Sequence, residues 1–289
     1  MAEYDYIDDD STVEYDEDYE EFVQDIYENM PIIDSIKYKT NTILDLTNLV
    51  IIETLSEEFI NDLVEAIKQN KYIHSIFIKT NYFDYESFKM IMNAKTYRAI
   101  SICGNNLYTD IFLKEYNNNN LKILFLQDLT LDVCNFIDRT TSLEELHINC
   151  CLGLHTCYTH NCIDNSSENI DKFITSLSLS KIKILNMSSL IAQYNMINKI
   201  IQHTKIQNFN YTVYSAYINY ELLYDNLKKN SFLLDLKINK HNDKQIRKML
   251  KRNQLAIFTS LLCIKNTIKN KIIPKCVIEN CLLPYIIHL

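Results

Sequence analysis

Apolar residues recur along this chain at offsets 0, +3 and +5. The stretch "LEELHI" supplies Leu143, Leu146 and Ile148, and the spacing returns in "IHSIFI" (Ile73, Ile76, Ile78), "YRAISI" (Tyr97, Ile100, Ile102) and "LKILFL" (Leu121, Leu124, Leu126). It continues in "IKILNM" (Ile182, Leu185, Met187), "IQNFNY" (Ile206, Phe209, Tyr211) and "LLDLKI" (Leu233, Leu236, Ile238), while a degenerate first copy, "NTILDL", keeps Leu44 and Leu46. Side chains alternate along an extended chain, so +3 and +5 share a face and each copy predicts a short strand with one apolar side.

Between the copies the period changes from two to that of a helix. In "SEEFINDLVEAIKQN", Phe59, Leu63, Ala66 and Ile67 recur at helical spacing behind Ser56, an amino-terminal cap with Glu57 and Glu58 in the first turn. "YESFKMIMNA" and "NYELLYDNLKKN" have the same form. Neither a lone strand nor a lone helix buries its face, so neighbouring strand-helix units must stack. Strands pair at roughly 4.8 Å and helices pack at roughly 8–10 Å, so such a stack curves with its strands inside.

Counted from Asn41, most copies start about 24 residues apart, and the intervals before Ile73 and Ile182 are longer. That period lies within the roughly 20–29 residues of leucine-rich repeats. On these residues the chain resembles a leucine-rich-repeat protein, similar to the strand-plus-helix, ribonuclease-inhibitor-like class. The resemblance covers about residues 41–242 and implies an α/β solenoid with parallel strands on the concave face and helices on the convex face. In that family the ninth position is Asn or Cys. Asn81, Asn105 and Cys151 agree, whereas Leu49, Leu129, Leu190, Tyr214 and His241 depart, which predicts an incomplete polar ladder and an irregular coil.

The composition divides the 289 residues into three parts. Residues 1–30 hold 13 acidic side chains and no Lys or Arg, against a net charge of −8 for the whole chain, so an acidic tail precedes a mildly basic body. The charge keeps most of that tail unfolded, although "EEFVQDIYENM" predicts a short helix leading into the first repeat. The tail solubilises the body, folds back on it or engages a basic partner. The solenoid follows as about eight repeats over residues 31–242, with an insertion near 150–172. Residues 243–289 form an apolar carboxy-terminal helical cap, with a helix from about Gln254 to Lys269, breaks at Pro274 and Pro284, and a second helix to Leu283.

The insertion is the one stretch with the chemistry of a metal site. Cys150, Cys151, His155, Cys157, His160 and Cys162 crowd together there, and four such ligands suit a structural zinc ion. There is no Cys-x-x-Cys pair, and the repeat itself accounts for Cys151 as a ladder residue and Cys150 as a strand end. Catalysis finds no support: two glycines cannot assemble a phosphate-cradling loop, and Gly-x-Ser-x-Gly and His-Glu-x-x-His motifs are absent. The chain therefore reads as a non-enzyme needing no cofactor, zinc being the exception the insertion leaves open.

A partner protein is expected on the concave face, where +2 and +4 side chains of successive strands converge. Phe77, Ile123 and Phe125 stand there among polar neighbours Glu145 and His147, although repeat packing asks for no aromatics on an outward face. The basic stretch from Lys237 to Arg252 fits a solvated helix face better than a nucleic-acid site, since the acidic tail would repel phosphates. A second reading of the carboxy-terminal helices, in loose resemblance to the short helical boxes of some repeat proteins, is a substrate adaptor that recruits a ubiquitin ligase. Nine cysteines without a secretory signal place the chain in a reducing, cytoplasmic compartment, and no apolar run is long enough to cross a bilayer. The Asn, Ile, Lys and Tyr bias suits an AT-rich genome such as that of a large DNA virus or a protist parasite.

Overall fold

A computed structural model describes residues 31–38, 40, 42–47, 55–104, 106–127, 131–149, 167–191, 194–215, 219–238 and 243–269. Each strand copy is followed by a helix, and the whole is a leucine-rich-repeat solenoid of α/β class. After α1 (Pro31–Tyr38), the chain alternates β1 (Ile43–Leu46), α2 (Glu57–Gln69), β2 (Ser75–Lys79), α3 (Tyr85–Asn93), β3 (Ala99–Cys103), α4 (Asn106–Glu115), β4 (Ile123–Leu126) and α5 (Leu131–Arg139). It continues with β5 (Glu145–Asn149), α6 (Ser167–Leu179), β6 (Ile184–Ile191), α7 (Tyr194–His203), β7 (Asn208–Ser215), α8 (Tyr220–Lys229), β8 (Asp235–Ile238) and α9 (Lys244–Lys269).

The strands form one eight-stranded sheet in sequence order, and every neighbouring pair is parallel. One row of partners runs Leu44, Ile76, Ile100, Leu124, Leu146, Leu185, Phe209, Leu236, and a second runs Leu46, Ile78, Ile102, Leu126, Ile148, Met187, Tyr211, Ile238. All sixteen are buried, so the +3 and +5 positions build a continuous apolar ladder beneath the helices. A third row at offset 0, from Ile73 and Tyr97 to Leu233, closes the core where each chain segment turns into its strand.

The helices begin where short polar side chains can cap them. Ser56 Oγ accepts from the Phe59 N–H at 3.2 Å, and Asp84 Oδ1 accepts from the Ser87 N–H at 2.7 Å. Asn219 Oδ1 accepts from the Leu222 N–H at 3.2 Å. Each satisfies a donor that the first turn leaves without a partner. From α2 the residues Phe59, Ile60, Leu63, Val64, Ala66 and Ile67 then face the sheet.

The turns from helix to strand are held by a set of buried asparagines that the repeat's apolar spacing conceals. Asn70, Asn118 and Asn230 each stand three residues before a strand copy and are 4%, 7% and 8% exposed. Asn230 Oδ1 accepts from the Phe232 and Leu233 N–H groups at 2.9 and 2.7 Å, and its amide donates to Ile201 O at 2.6 Å, one coil back. Asn70 repeats this arrangement with Tyr72, Ile73 and Ile36, and Asn118 with Asn120 and Tyr97. One side chain thus fixes its own turn and ties it to the preceding coil. Arginines do the same between helices: Arg139 donates to Leu113 O and Lys114 O, and Arg252 to Leu227 O and Lys228 O, on carbonyls ending the preceding helix.

Three features depart from the sequence expectations. The last helix starts at Lys244 instead of Gln254, because Asp243 Oδ1 accepts from the Gln245 and Ile246 N–H groups at 2.7 and 3.3 Å and opens it ten residues early. Strands β6 and β7 run eight residues each and remain paired out to Ile191 and Ser215. Both pass through the ladder positions Leu190 and Tyr214 without a break. Asn81, a ladder position that does carry it, lies exposed in a short 3-10 turn (Thr80–Tyr82). Asn105, Leu49, Leu129, Cys151 and His241 fall outside the described residues.

Among the described residues, the last strand is covered in a defined way. Along the sheet, the carbonyl before each strand accepts two N–H groups from the next coil, as Gln207 O does from Leu234 and Asp235 at 2.7 and 3.1 Å. Leu234 O instead accepts from the Gln254 side-chain amide at 2.9 Å, and the Asn253 amide donates to Leu233 O at 2.9 Å. Ile246 and Leu250 cover the apolar layer below, so the first half of α9 is the cap.

Candidate functional site

The concave surface carries the +2 and +4 side chains of each strand, because +3 and +5 are committed to the core. Its +4 row reads Asp45, Phe77, Ser101, Phe125, His147, Asn186, Asn210 and Lys237 across the sheet, and its +2 row runs from Ile43 to Asp235. Apolar side chains occupy the first half of this surface. Ile43 is 48% exposed, and Phe77, Ile123 and Phe125 are partly exposed. The second half is polar apart from Ile184, with Asn208, Asn210 and an Asp235–Lys237 pair at 3.4 Å.

The centre is an aromatic ladder. Strand β3 places the small Ser101 between Phe77 and Phe125, and the two rings lean together over it with centroids 6.3 Å apart and planes at 66°. Phe125 stacks on the His147 ring at 3.9 Å and 19°. The Asn186 amide nitrogen lies 2.8 Å from His147 Nδ1, and Glu145 Oε2 lies 3.5 Å from Nε2, too far for a strong hydrogen bond. Amide donation to Nδ1 assigns the ring proton to Nε2, the neutral tautomer whose N–H faces the carboxylate. Burial lowers the His147 pKa, against the opposing hydrogen-bonding and charge effect of Glu145, so the ring is neutral at neutral pH. At the strand entrances, Lys122 Nζ donates to Glu144 at 2.6 Å and holds that carboxyl below the usual carboxylate range.

The five residues singled out from the sequence for partner binding therefore share one face. Phe77, Phe125, His147 and Glu145 form a chain of contacts, and Ile123 lies beside them on the +2 row between Ala99 and Glu145. Two further residues that the repeat spacing places on the +4 row, without marking them for binding, take part: Ser101, whose smallness lets the rings meet, and Asn186, which fixes the histidine. Their contacts are not legible from the spacing alone.

The metal candidates Cys150, His155, Cys157, His160 and Cys162, with Cys151, lie outside the described residues. Among the described residues no group of three or more His, Cys, Asp or Glu side chains could hold a metal ion. Cys103 and Cys134 are free thiols, and burial pushes the Cys134 thiol up to about 11. No helix among the described residues is long and apolar enough to cross a membrane. The convex side also has an opening. Between α3 and α4, Phe88, Phe112 and Tyr116 line a groove of about 280 Å3. Its mouth is bridged by Lys89 and Glu115 at 3.4 Å.

No family model matches this chain, and no curated relative matches its sequence. Among solved structures there is a likeness to the tropomodulin C-terminal domain of Caenorhabditis elegans, 11% identical, covering 80% of this chain and 96% of that one, with a TM-score of 0.24. A superposition that loose adds nothing to the fold, which the strand order and register establish by themselves.

Proposed function

We propose that this chain is a non-enzymatic protein-interaction scaffold, with coils of the ribonuclease-inhibitor-like class, that docks a protein partner on its concave strand face. The observation that carries this reading is the outward ladder of Phe77, Phe125 and His147 beside Ile123 and Ile43. Aromatic and aliphatic side chains on the solvent face of a sheet gain nothing from the core. They gain area, ring contacts and desolvation when a partner covers them. The polar half of the same face, with Asn208, Asn210 and Lys237, supplies the rim that fixes orientation.

The test is a double substitution that leaves the core rows alone. Phe77→Asp with Phe125→Asp should abolish capture of a partner that wild type retains from its native cell, with the circular dichroism spectrum unchanged. A partner held equally well by both proteins would move the docking surface elsewhere.

A further inference from the structure

The outer face of α9 combines charge and exposed apolar surface in a way that capping the solenoid does not require. Ile246, Leu250 and Asn253 turn inward, which directs Lys244, Arg247, Lys248 and Lys251 outward, one or two turns apart and all exposed. Among the described residues, no carboxylate pairs with Lys244, Lys248 or Lys251. Among the described residues the same stripe continues into Leu255 and Phe258, 61% and 58% exposed, with Leu261 at 43% on its flank. Among the described residues, the acidic groups of α8 and of the start of α9 are Glu221, Asp225, which is paired with Lys228 at 2.7 Å, and Asp243, which caps α9.

We propose that this stripe is a docking site for an acidic, aromatic-bearing polypeptide segment, and that its occupant is the 1–30 segment of a second copy of the chain. Charge complementarity selects that occupant. Residues 1–30 carry 13 carboxylates and no Lys or Arg, interleaved with tyrosines and with Ile7, Val13 and Phe22. Cations followed by exposed Leu and Phe offer both ion pairs and apolar contacts to such a sequence. Phosphates of a nucleic acid would use only the former.

Reach makes the contact intermolecular. If the acidic stretch ending near Glu21 docks on α9, residues 22–30 alone link it to α1, and they extend at most roughly 30 Å. Eight helix-to-helix steps separate α1 from α9 on the convex side, roughly 65–80 Å. A tail docked through residues 14–21 falls well short of that path across its own solenoid, so it meets the far end of another. Such a contact is head to tail and heterologous, and it grows into open chains instead of closing as a symmetric dimer.

Sedimentation of the full-length protein tests this. Wild type should show mass rising with concentration beyond a dimer at about 0.05 M salt, and the association constant should fall at least about tenfold by about 0.5 M. Lys244→Glu with Lys248→Glu and Lys251→Glu, all at exposed positions, should remain monomeric with an unchanged unfolding temperature. So should Asp16→Asn with Glu17→Gln and Asp18→Asn, which alters only the tail. Mixing the two variants should restore association as far as a dimer, because one retains the tail and the other the basic face. A wild-type chain that stays monomeric at low salt overturns the proposal. So does association that either variant retains, or a basic face that binds duplex DNA or anionic vesicles while the protein stays monomeric.

Discussion

Gly104 has φ of +111°, and a Cβ there would collide with Asn81 Oδ1 and lie 2.8 Å from Thr80 Oγ1. Gly104→Ala is therefore expected to cost about 1–3 kcal/mol in chemical denaturation, from backbone strain and from the neighbours' displacement. The asparagines offer a sharper contrast. Asn230→Ala leaves the Phe232 and Leu233 N–H groups and Ile201 O without their partner, and should cost about 2–3 kcal/mol. Asn210→Ala, on the exposed strand face, should stay within about 0.5 kcal/mol. His147 adds a pH dependence of definite sign. Its pKa is lowered by burial, so the unfolded chain takes up the proton first as pH falls. Its contribution to stability is complete above the unfolded value near 6.5, and is lost as pH falls from there through the folded value. Titration of the ring by NMR should give a midpoint below about 6.5. A midpoint above it would mean that Glu145 outweighs burial.

At the scale of elements, what the sequence displayed was what apolar spacing encodes. The strand copies, the capped α2 and the helices from Tyr85 and Tyr220 were all legible, because each presents a periodic face next to a capping residue. The start of α9 was not. Asp243 lies in a run of charged residues whose apolar positions, Ile246 and Leu250, are too sparse to announce a helix until a neighbouring coil packs on them. The lengths of β6 and β7 were hidden as well, because the apolar spacing marks where a strand begins and not where it ends. The cap gives the element-scale expectation. Leu250→Asp places a carboxylate in the layer below β8 and should lower stability by about 3–5 kcal/mol and promote aggregation. Leu255→Asp, five residues on and exposed, should leave thermal unfolding unchanged.

For the whole molecule, one repeated spacing implied the sheet order, since coils that cannot bury their own faces have little choice but to stack in sequence. It also placed Phe77, Phe125 and His147 on one surface. It could not show that the rings touch, because that contact depends on a serine in the intervening strand and on a 39-residue separation between His147 and Asn186. The concave face as docking surface is tested most directly by site-specific photo-cross-linking. A photoreactive phenylalanine analogue would be placed at Ile43, which is 48% exposed on the concave face, and in a second protein at Met90, which is 39% exposed on the convex helix α3. The expected result is a cross-linked partner from the Ile43 position and none from Met90. A partner captured from Met90 and absent from Ile43 would contradict a concave docking face.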